Sequence, residues 1–245
     1  MRWALGSHQQ TAYAIIGGEE RVHPARAVTD PSDRRREVGE ASEAAEEDVL
    51  AALDMACGAQ AEWDRRGGPE RAAVLERAAD LVEENRPLLM GLLVREAGRT
   101  VVNALNEVRE TADFLRYYAK CAREHFVPAT LPGPAGERNT LDLRGRGVFA
   151  CIAPWNFPLS IFTGQIAGAL AAGNSVLAKP AEQTPLIAAA AVKLLHQAGV
   201  PGEVLHLLPG DGMRIGKTIL GHRNLSGVAF TGSTETAALI SRALA

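Results

Sequence analysis

The stretch that most constrains this chain begins at Gly147: GVFACIAPWNFPLSIFTGQIAGALAAGNSVLAKPAEQ. Val148 to Ala153 is a short apolar run without alternation that stops at Pro154, the pattern of a strand buried on both faces of a parallel sheet. Leu159 to Ala172 has the length and small-residue content of a helix laid closely on a sheet, and Gly173 with Asn174 supplies a stop signal. Ser175 to Ala178 then returns as a second buried strand. A helix between two strands of one sheet makes those strands parallel, so the chain folds around a βαβ unit. In open α/β sheets ligands bind beyond the carboxyl ends of the strands. Here those ends carry Pro154, Trp155, Asn156, Phe157 and Pro158 after the first strand, and Lys179 and Glu182 after the second.

Downstream segments keep the rhythm. Thr184 is placed to cap a helix with Pro185 at its first position, running to about Ala198 ahead of Gly199 and Pro201. Val204 to Leu208 is a third buried strand, Gly212 to Gly221 a short helix, Ser226 to Thr231 a fourth strand, and Ser233 starts a last helix. This alternation predicts a doubly wound, Rossmann-like parallel α/β sheet over residues 147–245. Upstream, apolar residues recur at helical spacing from Glu46 to Trp63 and from Pro69 to Glu84. Pro87 opens a third helix ending near Gly98, and Thr100 to Glu124 makes a long fourth. On that helix Val101, Leu105, Val108, Ala112 and Leu115 share one face, while Glu107, Glu110, Asp113 and Arg116 read as the solvated one. Residues 46–124 are expected to be a helical layer of the same domain. Ala12 to Val22 reads as a surface hairpin turning at Gly17 and Gly18. Residues 23–40, rich in charge and proline, read as loop, with Arg34, Arg35 and Arg36 on a solvated surface. Pro128 to Gly136 reads as a second loop, and Asn139 to Arg146 as a polar approach to the first buried strand.

With 245 residues, 47% of them apolar, the chain can bury a sizeable core. A formal net charge of −3, with no basic stripe or nucleic-acid motif, argues against nucleic acid as a partner. MRWALGSHQQ is too short and too polar for a signal peptide, and no apolar run approaches the ~20 residues of a membrane helix. A soluble cytoplasmic protein is the default expectation. Three cysteines, Cys57, Cys121 and Cys151, have neither the spacing nor the even count of a metal site or disulfide framework, so no metal is expected.

PWNFP, KPAEQTP, PGDG and FTGSTE follow one another in order. With these motifs the chain resembles the cofactor-binding half of the NAD-dependent aldehyde dehydrogenase superfamily. Within it, the wording from Pro154 onward is most similar to the L-glutamate γ-semialdehyde (1-pyrroline-5-carboxylate) dehydrogenase module of bifunctional proline-utilisation proteins. The resemblance runs from about Ile15 to the last residue. It implies an incomplete aldehyde dehydrogenase fold with four of five expected parallel strands, NAD as cofactor and a small aldehyde as substrate. A homo-oligomer and a preceding proline dehydrogenase domain stay open.

Each candidate residue has a plainer alternative. No GxGxxG follows the first strand, so the phosphate site is sought in TGSTE, where Gly232 and Ser233 stand at a strand-to-helix junction. On its own that motif is also an ordinary capped helix start. Lys179 and Glu182 suit an adenosine ribose, since the carboxylate accepts from vicinal hydroxyls and repels a 2′-phosphate. They would otherwise be a surface ion pair. The resemblance adds Pro154, Trp155 and Gly212 to the cofactor wall. Asn156 read alone is a turn former; the match to PWNFP makes it the donor to the oxyanion formed when a thiolate adds to the aldehyde. Phe157 and Glu110 are carried on the resemblance as substrate-side residues. Ala237 replaces a glycine common in the superfamily, which reads as subfamily character. Cys151 lies within a buried strand, where a thiol is inert packing. The nucleophile motif GQRCS and the general-base motif LELGG do not occur. By resemblance the chain is therefore expected to be inactive by itself, to expose an unpaired sheet edge beyond Thr231, and to be a non-catalytic NAD-binding remnant or an aldehyde dehydrogenase of other substrate range as alternatives.

Overall fold

The computed structural model describes residues 10–245; Met1 to Gln9, and with them most of the stretch weighed against a signal peptide, lie outside the described residues. The described chain opens with short strands β1 (Gln10–Ala12), β2 (Ala14–Ile16) and β3 (Glu19–Arg21). Gly17 and Gly18 turn β2 into β3 with φ of 63° and 84°, the left-handed pair a primed hairpin turn requires. The expectation of a surface hairpin needs correcting. β2 is buried throughout and pairs antiparallel with a strand of the main sheet, Ile15 opposite Leu207.

Residues 23–40 are likewise not loop. They form β4 (Ala25–Asp30) and most of β5 (Asp33–Ser42), an antiparallel hairpin. Its turn is closed by Asp30 Oδ1, which accepts the Ser32 amide at 2.9 Å and hydroxyl at 2.6 Å. Only a few side chains, among them Val28 and Val38, point inward. Arg34, Arg35 and Arg36 are exposed in succession, so both faces of β5 are solvated there and the alternation that marks a strand is missing.

Four helices follow: α1 (Glu46–Arg65), α2 (Gly67–Glu84), α3 (Arg86–Arg95) and α4 (Val101–His125). Along α4 the buried stripe is Ala104, Glu107, Val108, Thr111, Ala112, Leu115, Ala119 and Ala122. Val101 is exposed and Glu107 buried, so the face expected from the large aliphatics is rotated toward its small residues. An exposed hairpin, β6 (Ala129–Leu131) with β7 (Asn139–Leu141), interrupts what was read as loop and approach.

The βαβ unit comes next: β8 (Val148–Ile152), α5 (Ser160–Ala171) and β9 (Ser175–Lys179). It continues into α6 (Pro185–Gln197), β10 (Leu205–Leu207), α7 (Gly212–Leu220), β11 (Leu225–Phe230) and α8 (Thr234–Leu244). The main sheet has the order β11-β8-β9-β10-β2-β3, with its first four strands parallel. One face packs Val148, Ala150, Leu177 and Leu208 against Val49 and Leu53 of α1 and Ile215 and Ile219 of α7. The other buries Cys151, Val176, Ala178, Leu205 and Leu207 under α5, α6 and the helices α2 to α4.

Helix α5 ends as its sequence proposes. Gly173, at φ 84°, donates to Leu170 O at 3.0 Å, and Asn174 N donates to Ala169 O at 3.0 Å, the bond pair of a Schellman motif. Helices α1 and α2 add to this end: Trp63 Nε1 is a second donor to Leu170 O, and the buried Arg71 donates to Ala171 O. Asn174 Oδ1 in turn accepts from Arg146 N and Gly147 N, joining the end of α5 to the start of β8.

Candidate active site

The carboxyl ends of β8, β9 and β11, with α7 and α8, enclose a cleft of about 1090 Å³. Pro154, Trp155, Asn156, Phe157, Lys179, Glu182, Gly212, Gly232 and Ser233 all line it. Glu110 does not. It lines a neighbouring cavity of about 430 Å³ with Arg99, Asn103, Asn106, Glu107 and Phe157, and Phe157 is shared by the two.

Lys179 is the last residue of β9, opposite Ile152 of β8. Its side chain is buried, and burial pushes its ammonium below the ordinary lysine value against the pull of Glu182, Asp211 and Glu43. The surface ion pair does not form: Lys179 Nζ donates to Pro180 O at 2.9 Å, while Glu182 Oε1 accepts the Gly212 amide at 2.9 Å. Each group thus keeps capacity facing the cleft, two N–H donors on Lys179 and Oε2 on Glu182. A Cβ built on Gly212 would stand 3.6 Å from Glu182 Oε1 and 3.8 Å from Lys179 Nζ, so the three residues converge at one point. Arg26 of β4 buttresses the loop from behind by donating to Glu182 O at 2.7 Å.

At the opposite wall Ser233 caps α8, accepting from Thr236 N at 3.2 Å. The amides of Thr234 and Glu235 precede the first intrahelical bonds and are free to meet an anion. A Cβ on Gly232 would lie 2.5 Å from the Phe230 ring, so glycine leaves room where β11 hands over to the helix. Asn156 sits exposed between Trp155 and Phe157 on the loop from β8 to α5.

Thr184 does not cap α6, contrary to the sequence reading. Its backbone (φ −136°, ψ 52°) is off the usual cap geometry, and its hydroxyl is buried without a partner. The cap comes from α3's end: Glu96 accepts the amides of Leu186 at 2.7 Å and Ile187 at 2.9 Å, and burial pushes its carboxyl up to about 8. Glu107 was likewise misread as solvated. It is buried, and burial pushes its carboxyl up against the pull of the Leu159 and Ser160 amides and Arg99. Its place between Ala104 and Thr111, on the small-residue stripe of α4, is the signal that could have revealed it.

The cysteines stay away from the cleft. Cys151 has no exposed surface, and burial pushes its thiol up to about 12. Neither Cys57 nor Cys121 lines the cleft either. Among the described residues no group of acidic, His or Cys side chains is arranged to hold a metal ion, and no helix is long and apolar enough to cross a membrane.

The aldehyde dehydrogenase family model matches residues 19–245. The chain belongs to the aldehyde dehydrogenase family. It is 51% identical over 218 residues to the bifunctional protein PutA of Klebsiella aerogenes, covering 89% of this chain and 16% of that protein. It is 36% identical over 222 residues to 1-pyrroline-5-carboxylate dehydrogenase 2 of Bacillus subtilis, covering 90% of this chain and 43% of that one. Among solved structures, 1-pyrroline-5-carboxylate dehydrogenase from Thermus with bound NAD superposes with a TM-score of 0.92 at 35% identity, over 96% of this chain and 46% of that one. The chain thus spans less than half the length of these family members.

Proposed function

We propose that the chain is the NAD-binding part of an aldehyde dehydrogenase acting on L-glutamate γ-semialdehyde in proline catabolism. The observation that carries this is the convergence of Asn156, Lys179, Glu182, Gly212 and Ser233 on one cleft at the carboxyl ends of parallel strands. Its likeness to a family member with bound NAD supports the cofactor, and the bifunctional and 1-pyrroline-5-carboxylate relatives support the substrate.

The donor set fits NAD. Glu182 Oε2 would accept from ribose hydroxyls and Lys179 would donate to one of them, while the carboxylate would disfavour a 2′-phosphate. Gly232, Ser233 and the free amides at the start of α8 would hold the pyrophosphate. Pro154 and Trp155 form the wall beside it. NAD held there would supply the hydride acceptor for the oxidation. Asn156 donates an N–H of its side-chain amide to the oxyanion that develops on the aldehyde oxygen, an interaction worth about 3 kcal/mol or more. Phe157 and Glu110 face the substrate side.

The attacking thiol is none of the three cysteines, because the buried Cys151 is protonated and the others stand outside the cleft. The reading is tested by NADH formation with glutamate semialdehyde and with a simple aldehyde. It predicts that this chain by itself gives no turnover and that Cys151→Ala changes nothing. Turnover abolished by Cys151→Ala contradicts it.

A further inference from the structure

The loop carrying Asn156 is exposed at residues 155–157, yet it runs into a helix whose N-cap position is Leu159, a side chain that caps nothing. The missing acceptor comes from α4. Glu107 Oε1 accepts the Leu159 amide at 2.9 Å and the Ser160 amide at 3.4 Å. Its Oε2 faces Arg99 Nε at 3.2 Å, and the Arg99 guanidinium stands 4.5 Å from the centroid of the Phe157 ring, within cation–π range. One ion pair thus grips the residue directly after Asn156 by its ring and the start of α5 by its amides.

A buried carboxylate is costly unless it is paired and hydrogen-bonded, and removing one partner leaves the other uncompensated. A neutral acceptor could still take both amide bonds, though more weakly. Only a charged one also holds Arg99 over Phe157, so the arrangement does more than finish a helix.

We propose that Glu107, acting through Arg99, is a positioning residue for Asn156: it orders the Phe157–Ser160 segment and thereby sets the direction in which the Asn156 amide enters the cleft. The proposal rests on the oxyanion role assigned to Asn156 above. The ordering of the loop by Glu107 is nevertheless measurable separately from that role.

The test uses the chain labelled with 5-fluorotryptophan. Trp155, 58% exposed, reports on the Asn156 loop, and the buried Trp63, bonded to Leu170 O, reports on the fold. A Trp155→Phe sample assigns the loop resonance, and a Trp3→Phe sample separates the remaining tryptophan from Trp63. Glu107→Ala removes both the amide acceptor and the charge; Glu107→Gln keeps an acceptor and removes the charge; Arg99→Met removes the grip on Phe157. The Trp155 fluorine resonance is expected to move in all three while that of Trp63 stays. Hydrogen exchange at Leu159 and Ser160 is expected to accelerate about tenfold or more in Glu107→Ala, and to remain near wild type in Glu107→Gln. An unmoved Trp155 resonance with both amides still protected in Glu107→Ala overturns the proposal. So does a Trp63 resonance that moves with Trp155 even in Glu107→Gln, which makes Glu107 a general core residue. Titrating NAD into the same samples separates the two readings: wild type that does not bind NAD contradicts the proposed function, whereas the loop measurements still decide the role of Glu107.

Discussion

His206 shows how one buried side chain ties a distant segment to the sheet. On β10 it has no exposed surface, and its Nδ1 accepts the Gly17 amide at 3.2 Å while Nε2 faces Glu203 O at 3.0 Å. These partners require the neutral ring with the proton on Nε2. Burial holds its pKa at about 4, against 6.5 for the free side chain. Between those values the unfolded chain binds a proton that the folded chain refuses, so stability falls as pH drops through that window, by roughly 1.4 kcal/mol per pH unit for this group. Urea midpoints at pH 7.5 and 5 should show a larger acid loss for wild type than for His206→Gln. Equal losses would mean that His206 is not the group responsible. At this scale the sequence displayed some residues and hid others. Lys179 and Glu182 stood out because they leave a buried strand at the binding end, whereas Asn156 stood out only through the resemblance of PWNFP. Glu96 and Arg26 did not, because their partners lie 90 and 156 positions away, and for Glu107 the small-residue stripe of α4 shows burial but not the partner 52 positions on.

Helix α5 was legible down to its stop signal, and its glycines, which weaken a helix in isolation, find their reason in packing. A Cβ on Gly164 would meet the Phe114 ring at 3.1 Å and one on Gly168 the Tyr118 ring at 3.2 Å, so the glycines let α4 lie close. Gly58 in α1 has nothing within 4 Å. Substitution at the two sites should therefore act with opposite sign. Gly164→Val is expected to destabilise by about 1 to 3 kcal/mol through overpacking, and Gly58→Ala to stabilise by about 0.5 to 1 kcal/mol through helix propensity. Thermal unfolding of both variants checks this; a Gly164→Val chain as stable as wild type would show that α4 is not held at that distance. The β4 and β5 hairpin was missed for the converse reason. Its strands carry charge outward and few apolar residues inward, so the pairing rests on backbone bonds and the Asp30 turn.

Across the whole molecule, the two cores on opposite faces of the sheet follow from strands apolar on both sides, and that is why the α/β class could be read from residues 147–245. The antiparallel addition of β2 and β3 could not be read, since a three-residue strand announces neither its partner nor its sheet. At the opposite edge β11 is half-buried and pairs only with β8 among the described strands. Between these edges the parallel strands direct every residue of the proposed cofactor site into one cleft. The central claim is that this cleft takes NAD and that Glu182 selects it. Calorimetric titration of wild type and Glu182→Gln with NAD and NADP tests it most directly. Wild type should bind NAD more tightly than NADP, and Glu182→Gln should lose about tenfold or more in NAD affinity while narrowing the preference. Equal or tighter binding of NADP by wild type would contradict the account.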